Sequence, residues 1–311
     1  METISNNDKV NEILKAHGLD FHIKKVAMFG ESKETILNEV FTKRHESKYF
    51  GLLNCKTDEI INTVKEGYTV SQNSEIVELV LKGMETFGTK LTVQKAGSLN
   101  GGRKVYIQLA IEGESKVGFD TIKRFVTVID SNDGSTGLSI GIGDLTMSCQ
   151  NQFFKFYKKG EAKFRHTATI SEKMKTIPML IELALSNSLK QVELYKAFQS
   201  TEITKDLANL LVKSLLGYDR VYTSMDIMSK KGTQSINIMD KLYVSIEREI
   251  ADKGLNLWGL HSGVTRFTTH EIGSPKRDNG KIESSLLGSA YNMNQKSLEF
   301  ARRESGILEL A

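Results

Sequence analysis

Apolar and polar positions alternate with a period near two through the middle of the chain and with a helical period beyond it. The stretch from Lys90 to Asn151 reads as consecutive antiparallel strands: Lys90–Gly97, Lys104–Glu112, Ile122–Asp130, Thr136–Ile142 and Leu145–Asn151. Asn100-Gly101-Gly102 and Asp133-Gly134 supply turn residues that hairpins need. Upstream, Val10, Ile13 and Leu14 predict a short helix from Asn7 to His17, ended by Gly18. Phe21, Ile23, Val26 and Met28 alternate loosely, which predicts peripheral strands and a turn over residues 19–53. Ile76, Val77, Val80, Leu81 and Met84 fall on one face of a helix from Ser74 to Phe87, with Asn73 or Ser74 as its cap and Gly88 at its end.

After about residue 171 the spacing turns helical over Met179–Phe198, Glu202–Leu216, Ser235–Ala251 and Ser284–Arg302. Leu257, Trp258, Leu260, Val264 and Phe267 form one further stripe of a core helix. Strands first and helices afterwards mean an α+β class. The expectation is an antiparallel sheet with a packed helix in residues 1–170 and a mostly helical region in residues 171–311, lying on that sheet.

Composition narrows the function classes. With 311 residues, 39% hydrophobic and 26% charged, the chain suits a globular protein with an ample core. A net charge of +4 permits an anionic partner without requiring one. Cys55 and Cys149 cannot staple so long a chain, so buried free thiols in a reducing compartment are expected. No apolar run approaches the roughly 20 residues that span a bilayer, and the polar start of the chain lacks a signal-peptide pattern.

Three segments carry candidate chemistry. Lys155, Lys158, Lys159, Lys163, Arg165 and His166 are interleaved with Phe153, Phe154, Phe156, Tyr157 and Phe164. Rings that stack on bases and cations that meet phosphates are what a single strand favours; an amphipathic strand pair with its rings in the core reads the same way. Arg103, Lys104, Lys123 and Arg124 extend the cationic set. The Gly97–Lys104 segment offers backbone amides to a phosphate, or is a plain hairpin turn. Asp130 and Asp133, with Asp144, are candidates for a divalent metal, although the turn between Asp130 and Ser135 needs Asn, Asp and Gly for its shape alone. The histidines show no zinc spacing, and no nucleophile elbow or phosphate loop is present, so no cofactor is expected. Ile272–Lys281 reads as a basic loop.

Gly67–Asn73, Ala96–Arg103, Asn132–Ser135, Cys149–Asn151, Arg165–Thr167 and Trp258–Leu260 occur in that order. Together they resemble the phage/plasmid-like family called domain of unknown function 932, over residues 40–300. The chain departs from the pattern near Arg44, where the segment up to Tyr68 is longer, and after Phe153, where it is more basic and aromatic. The resemblance implies a phage origin and the host cytoplasm. In layout the chain is also similar to phage single-strand annealing proteins, which implies a basic groove and assembly into homo-oligomers on DNA. The functional expectation is therefore a non-enzymatic, single-stranded DNA binding or annealing protein, contacting nucleic acid through Arg103, Lys104, Lys123, Arg124, Lys155, Phe156, Tyr157, Lys158, Lys159, Lys163, Arg165 and His166, with no membrane partner. The alternatives are an oligomeric structural or host-interaction protein, and a metal-dependent nuclease using Asp130 and Asp133.

Overall fold

The computed structural model describes residues 6–36, 39–86, 91–156, 163–216, 230–272 and 280–307. Antiparallel sheets dominate the first half and helices the second, so the class is α+β. The chain forms two compact units whose segments alternate along the sequence. The first takes Met1–Leu109, Thr127–Ile140 and Phe156–Leu183; the second takes Ala110–Val126, Gly141–Lys155 and Ala184–Ala311. Their boundaries fall inside strands and inside one long helix.

In the first unit, α1 (Asn6–Ala16) buries Val10 and Leu14 and packs against α2 (Asn73–Thr86), which buries Ile76, Val77, Val80 and Leu81. Both faces are those that the apolar spacing marks. The start of α2 is held differently from expectation. Glu75 accepts a hydrogen bond from the Gln72 backbone N–H at 3.1 Å, the reciprocal half of a capping box. The Asn73 side chain points away and donates to the Leu19 and Phe21 carbonyls at 3.0 and 3.4 Å. Phe87 and Gly88, the expected end of the helix, lie outside the described residues.

Strands β1 (Ile23–Ile36), β2 (Glu39–Asn54) and β3 (Glu59–Lys65) form a sheet in that order. β3 pairs only with Tyr49–Asn54 of β2, so from Phe29 to Glu46 the β1–β2 ribbon pairs with itself and lies mostly in solvent. Side chains brace it: the Arg44 guanidinium sits 3.6 Å from the centre of the Phe29 ring, and Ser32 bonds His45 at 2.8 Å. Charged residues on both faces explain why the alternation is weak there.

A second sheet runs β4 (Leu91–Leu99), β5 (Lys104–Val117), β6 (Asp120–Ser131), β7 (Leu138–Thr146), β8 (Asn151–Phe156), with β9 (Lys163–Phe164) pairing on β7. The β4–β5 turn places Asn100, Gly101 and Gly102 at φ of +53°, +68° and +89°. A Cβ on Gly102 would come within 2.9 Å of the Asn54 amide and 3.1 Å of the Phe21 ring, so glycine is required twice over. Two expected strands, Thr136–Ile142 and Leu145–Asn151, are one strand ending at Thr146; residues 147–150 form a turn in which Gln150 has φ +56°. The thiols also differ from expectation: Cys55 opens the β2–β3 turn and is exposed, and Cys149 lies half-buried in the β7–β8 turn, both unpaired.

Helix α3 (Ile170–Met174) belongs to the first unit, and α4 (Ile177–Ser200) passes from the first unit into the second. In the second unit follow α5 (Lys205–Leu216), α6 (Lys230–Lys253), α7 (Leu257–Arg266) with a π-helical turn at Phe267–Glu271, α8 (Gly280–Leu287) and α9 (Ser289–Glu304). Tyr195, Phe198, Leu211, Leu242, Trp258, Leu260, Val264 and Phe267 share one core. Helix α7 is buried almost all round, and its glycines let α6 lie against it: a Cβ on Gly259 would come 3.3 Å from Ile250 Cα, and one on Gly263 would overlap the Ile246 backbone. The Asn256 side chain caps α7 by accepting from the Gly259 N–H at 2.8 Å. Gly288 breaks the helix expected over Ser284–Arg302 into two. No helix among the described residues is long and apolar enough to cross a membrane.

Candidate functional site

The motifs noted along the sequence gather at one place in each unit. In the first unit the centre is Asp130, near the end of β6 and 1% exposed. His166 Nε2 lies 2.7 Å from Asp130 Oδ1, and Ser71 Oγ donates to Asp130 Oδ2. His166 Nδ1 faces the Thr69 carbonyl at 3.1 Å, and the Tyr68 ring stacks on the imidazole at 4.9 Å and 7°. A carbonyl only accepts, so a hydrogen bond there needs Nδ1–H as donor, and Nε2–H donates to the Asp130 carboxylate; the surroundings favour the protonated ring, in which both nitrogens donate. Burial pulls the His166 pKa down, but the hydrogen bond and charge of Asp130 outweigh it and leave it raised. Burial likewise pushes the Tyr68 hydroxyl up, with the charges of Asp130 and Asp133 adding to it.

This chemistry is not that of a hydrolytic triad. Ser71 Oγ donates its hydrogen bond to the carboxylate and lies 3.5 Å from His166 Nδ1, and both ring nitrogens are turned to acceptors, Nδ1 to the Thr69 carbonyl and Nε2 to Asp130, so neither is placed to take the serine proton. Asp130 is committed to His166 and Ser71, and Asp133 to Lys104 at 3.5 Å and to the Ser135 N–H at 2.9 Å. Among the described residues no three His, Cys, Asp or Glu side chains group as metal ligands.

Around this core lies the β6–β7 turn, Asn132 to Gly137. Asn132 N–H donates to the Arg103 carbonyl at 2.7 Å, and a Cβ on Gly137 would overlap the Phe164 carbonyl, with Arg165 N at 3.5 Å. Arg103 and Arg165 therefore flank one turn, and β9 brings Lys163 opposite Ser139. Arg103 and Arg165 are exposed and Lys163 is half-buried; none of the three makes an ion pair among the described residues. Arg103 also lines a cavity of about 400 Å³ with Glu59, Ile60, Asn100 and Gly101. Of the expected contact residues in this unit, Lys104 and His166 are turned inward to Asp133 and Asp130, and Phe156 is half-buried.

The remaining expected residues lie elsewhere. Arg124, in the second unit, is buried and donates to Ser188 Oγ at 3.1 Å; its neighbour Asp144 is fully buried, accepts from the Tyr195 hydroxyl at 3.0 Å and is pushed by burial up to about 7. Lys123 and Lys155 are half-buried. Phe153 and Phe154 are core residues, 3% and 5% exposed, the Phe153 ring meeting His261 edge-on at 5.5 Å. Of the cation-and-ring run, Tyr157, Lys158 and Lys159 lie outside the described residues.

In the second unit the centre is Asp120, which the sequence reading did not single out. Its carboxylate accepts from Trp258 Nε1 at 2.8 Å, Ser148 Oγ at 2.7 Å and Lys253 Nζ at 2.7 Å. Lys253 also meets Glu249 at 3.2 Å, and Arg266 meets Glu249 at 3.5 Å. The side chains of Asp120, Lys253 and Glu249 are 7%, 6% and 3% exposed. Burial pulls the Lys253 pKa down, while the Asp120 hydrogen bond and the Glu249 charge overcome it and leave it raised. Asn151 ties its motif to α7 by donating to the Ser262 carbonyl at 3.2 Å. A tryptophan whose N–H must be satisfied when buried was the available sequence signal for an acceptor here.

No curated protein and no solved structure matches the chain. A family model described as "Domain of unknown function (DUF932)" matches residues 60–291, which begins after the β1–β2 ribbon and takes in both convergent clusters. The chain belongs to that family.

Proposed function

We propose that the protein binds single-stranded nucleic acid, with phosphates held by Arg103, Lys163 and Arg165 around the β6–β7 turn of the first unit. The observation that carries this is the local charge. His166 and Lys104 are matched by Asp130 and Asp133, whereas Arg103, Lys163 and Arg165 have no carboxylate partner among the described residues, and Glu59 is the acid lining the Arg103 cavity. Unmatched cations grouped around one turn attract a polyanion by releasing its counterions. The buried Asp130–His166–Ser71 cluster then has a positioning role, fixing the turn and β9 against each other. The setting we propose is annealing or protection of single strands by a phage-type protein acting as a homo-oligomer. A nuclease reading is less supported, since Asp130 and Asp133 are already engaged.

Fluorescence anisotropy of a labelled single-stranded oligonucleotide, titrated at several salt concentrations, tests this. Each phosphate contact contributes about −0.7 to the slope of log affinity against log salt. Changing Arg103, Lys163 and Arg165 to Gln together should flatten the slope by about 2. Binding that ignores salt, or a triple variant with the wild-type slope, overturns the proposal.

A further inference from the structure

The second unit holds a site with a different chemistry. β5 and β6 are joined by the two-residue turn Gly118-Phe119. Gly118 has φ +57°, which favours glycine, and a Cβ there would overlap the Gln199 carboxamide of α4, so that carboxamide lies against the turn. Phe119 stands on that turn fully exposed. A lone exposed phenylalanine is ordinary, but this one lines a cavity of about 500 Å³, together with Asp120, Ser148, Gln199, Lys253 and Trp258.

The lining is not suited to phosphate. Asp120 is neutralised by Lys253, Glu249 behind it by Lys253 and Arg266, and Asp252 adds a further acid to the wall. What the cavity offers is the exposed Phe119 ring and the buried Trp258 ring. The Gln199 carboxamide, also in the lining, makes no hydrogen bond among the described residues. A carboxamide presents a donor and an acceptor side by side, as the edge of a nucleobase does. The volume is that of a small-molecule pocket.

We infer that this cavity takes a neutral, planar heteroaromatic ring, an unpaired nucleobase, stacked on Phe119 with its edge toward Gln199. The inference rests on the nucleic-acid reading above, adding a base site in the second unit to the phosphate site in the first. It divides the labour chemically: cations without a carboxylate partner among the described residues hold the backbone, and a cavity that offers two aromatic rings, a carboxamide and no unmatched cation holds a base.

Trp258 is the only tryptophan of the chain, so its emission reports on this cavity alone. The protein is titrated with labelled oligodeoxythymidylate, with an abasic oligonucleotide of the same length, and with free thymidine, reading anisotropy and Trp258 emission together. The expected result is a saturable change in Trp258 emission with oligodeoxythymidylate and none with the abasic strand, although the abasic strand still binds by anisotropy. Phe119→Ala should weaken the emission change about tenfold or more, with melting temperature unchanged because the ring is fully exposed. Strand binding that leaves Trp258 emission unmoved, or a Phe119→Ala variant that responds like wild type, sinks the base site while the phosphate reading stands. An emission change with thymidine but no binding of either strand supports the pocket as a nucleoside site and overturns the strand reading instead. If no probe moves either signal, both fall.

Discussion

Asp120 holds three donors in a buried place, and removing it should be costly in a calculable way. Asp120→Ala leaves Lys253 with Glu249 only and leaves the Trp258 N–H without its acceptor. Breaking a buried ion pair by deleting one partner costs about 3–5 kcal/mol, and an orphaned buried N–H about 1–3 kcal/mol. These losses overlap because they share one carboxylate, so a total of about 4 kcal/mol is expected. Asp120→Asn keeps an acceptor but not the charge and should lose about half of that. Urea denaturation followed by Trp258 emission reads the second unit; with a slope of about 2 kcal/mol per molar, the midpoint of Asp120→Ala falls by about 2 M. The Lys253 pKa is raised on folding, so this stabilisation is complete below its ordinary value of 10.5 and is lost as pH rises through the folded value. The wild-type advantage at neutral pH should therefore be undiminished at pH 9. A midpoint lowered by less than about 0.3 M, or an advantage that vanishes between pH 7 and 9, refutes the reasoning.

Three further outcomes are expected. His166→Gln should destabilise the first unit most at low pH: the raised histidine pKa gives stability that is full below 6.5 and fades as pH rises through the folded value, so circular-dichroism melts should show a larger gap from wild type at pH 6 than at pH 9. Asp144 behaves in the opposite sense to a paired carboxylate. Burial raises it to about 7, so wild type loses stability as pH climbs from 3.8 through that value, and Asp144→Asn should gain on wild type over the same range in pH-dependent melts. Replacing residues 30–45 at the ribbon end by a two-residue turn should lower the melting temperature by no more than a few degrees, equivalent to less than about 1 kcal/mol, because those residues that have described side chains are largely exposed; a drop of ten degrees or more would show that the ribbon supports the core.

Much of the fold is legible in the sequence where a face is either buried or not. The α2 stripe of Ile76, Val77, Val80 and Leu81 and the Asn100-Gly101-Gly102 turn are examples, because periodicity and positive φ leave direct marks on residue type. Where chemistry depends on long-range partners the marks are ambiguous. Phe153 is consistent with a stacking platform or core, and only the helix residues of the second unit that share its cluster, Tyr195 and Phe198 among them, decide for core. Arg124 reads as surface charge, yet Ser188, far along the chain on α4, receives it inside. Between Phe29 and Glu46 the β1–β2 ribbon buries no side chain among the described residues, so its alternation gives no sign of its length. Asp120 was invisible because its partners Lys253 and Trp258 lie more than a hundred residues away. Besides the tryptophan, whose buried N–H needs an acceptor, a signal was available in the phenylalanine of the Gly118-Phe119 turn, an apolar residue where a hairpin ordinarily places a polar one.

The central claim, that single-stranded nucleic acid lies on the β6–β7 turn, is met most directly by photocrosslinking the full chain to an iodouracil-substituted oligonucleotide and mapping the adducts by mass spectrometry. The account predicts adducts on the peptides bearing Arg103, Lys163 and Arg165, suppressed by high salt. Adducts confined to other peptides, or none above a no-light control, would contradict it.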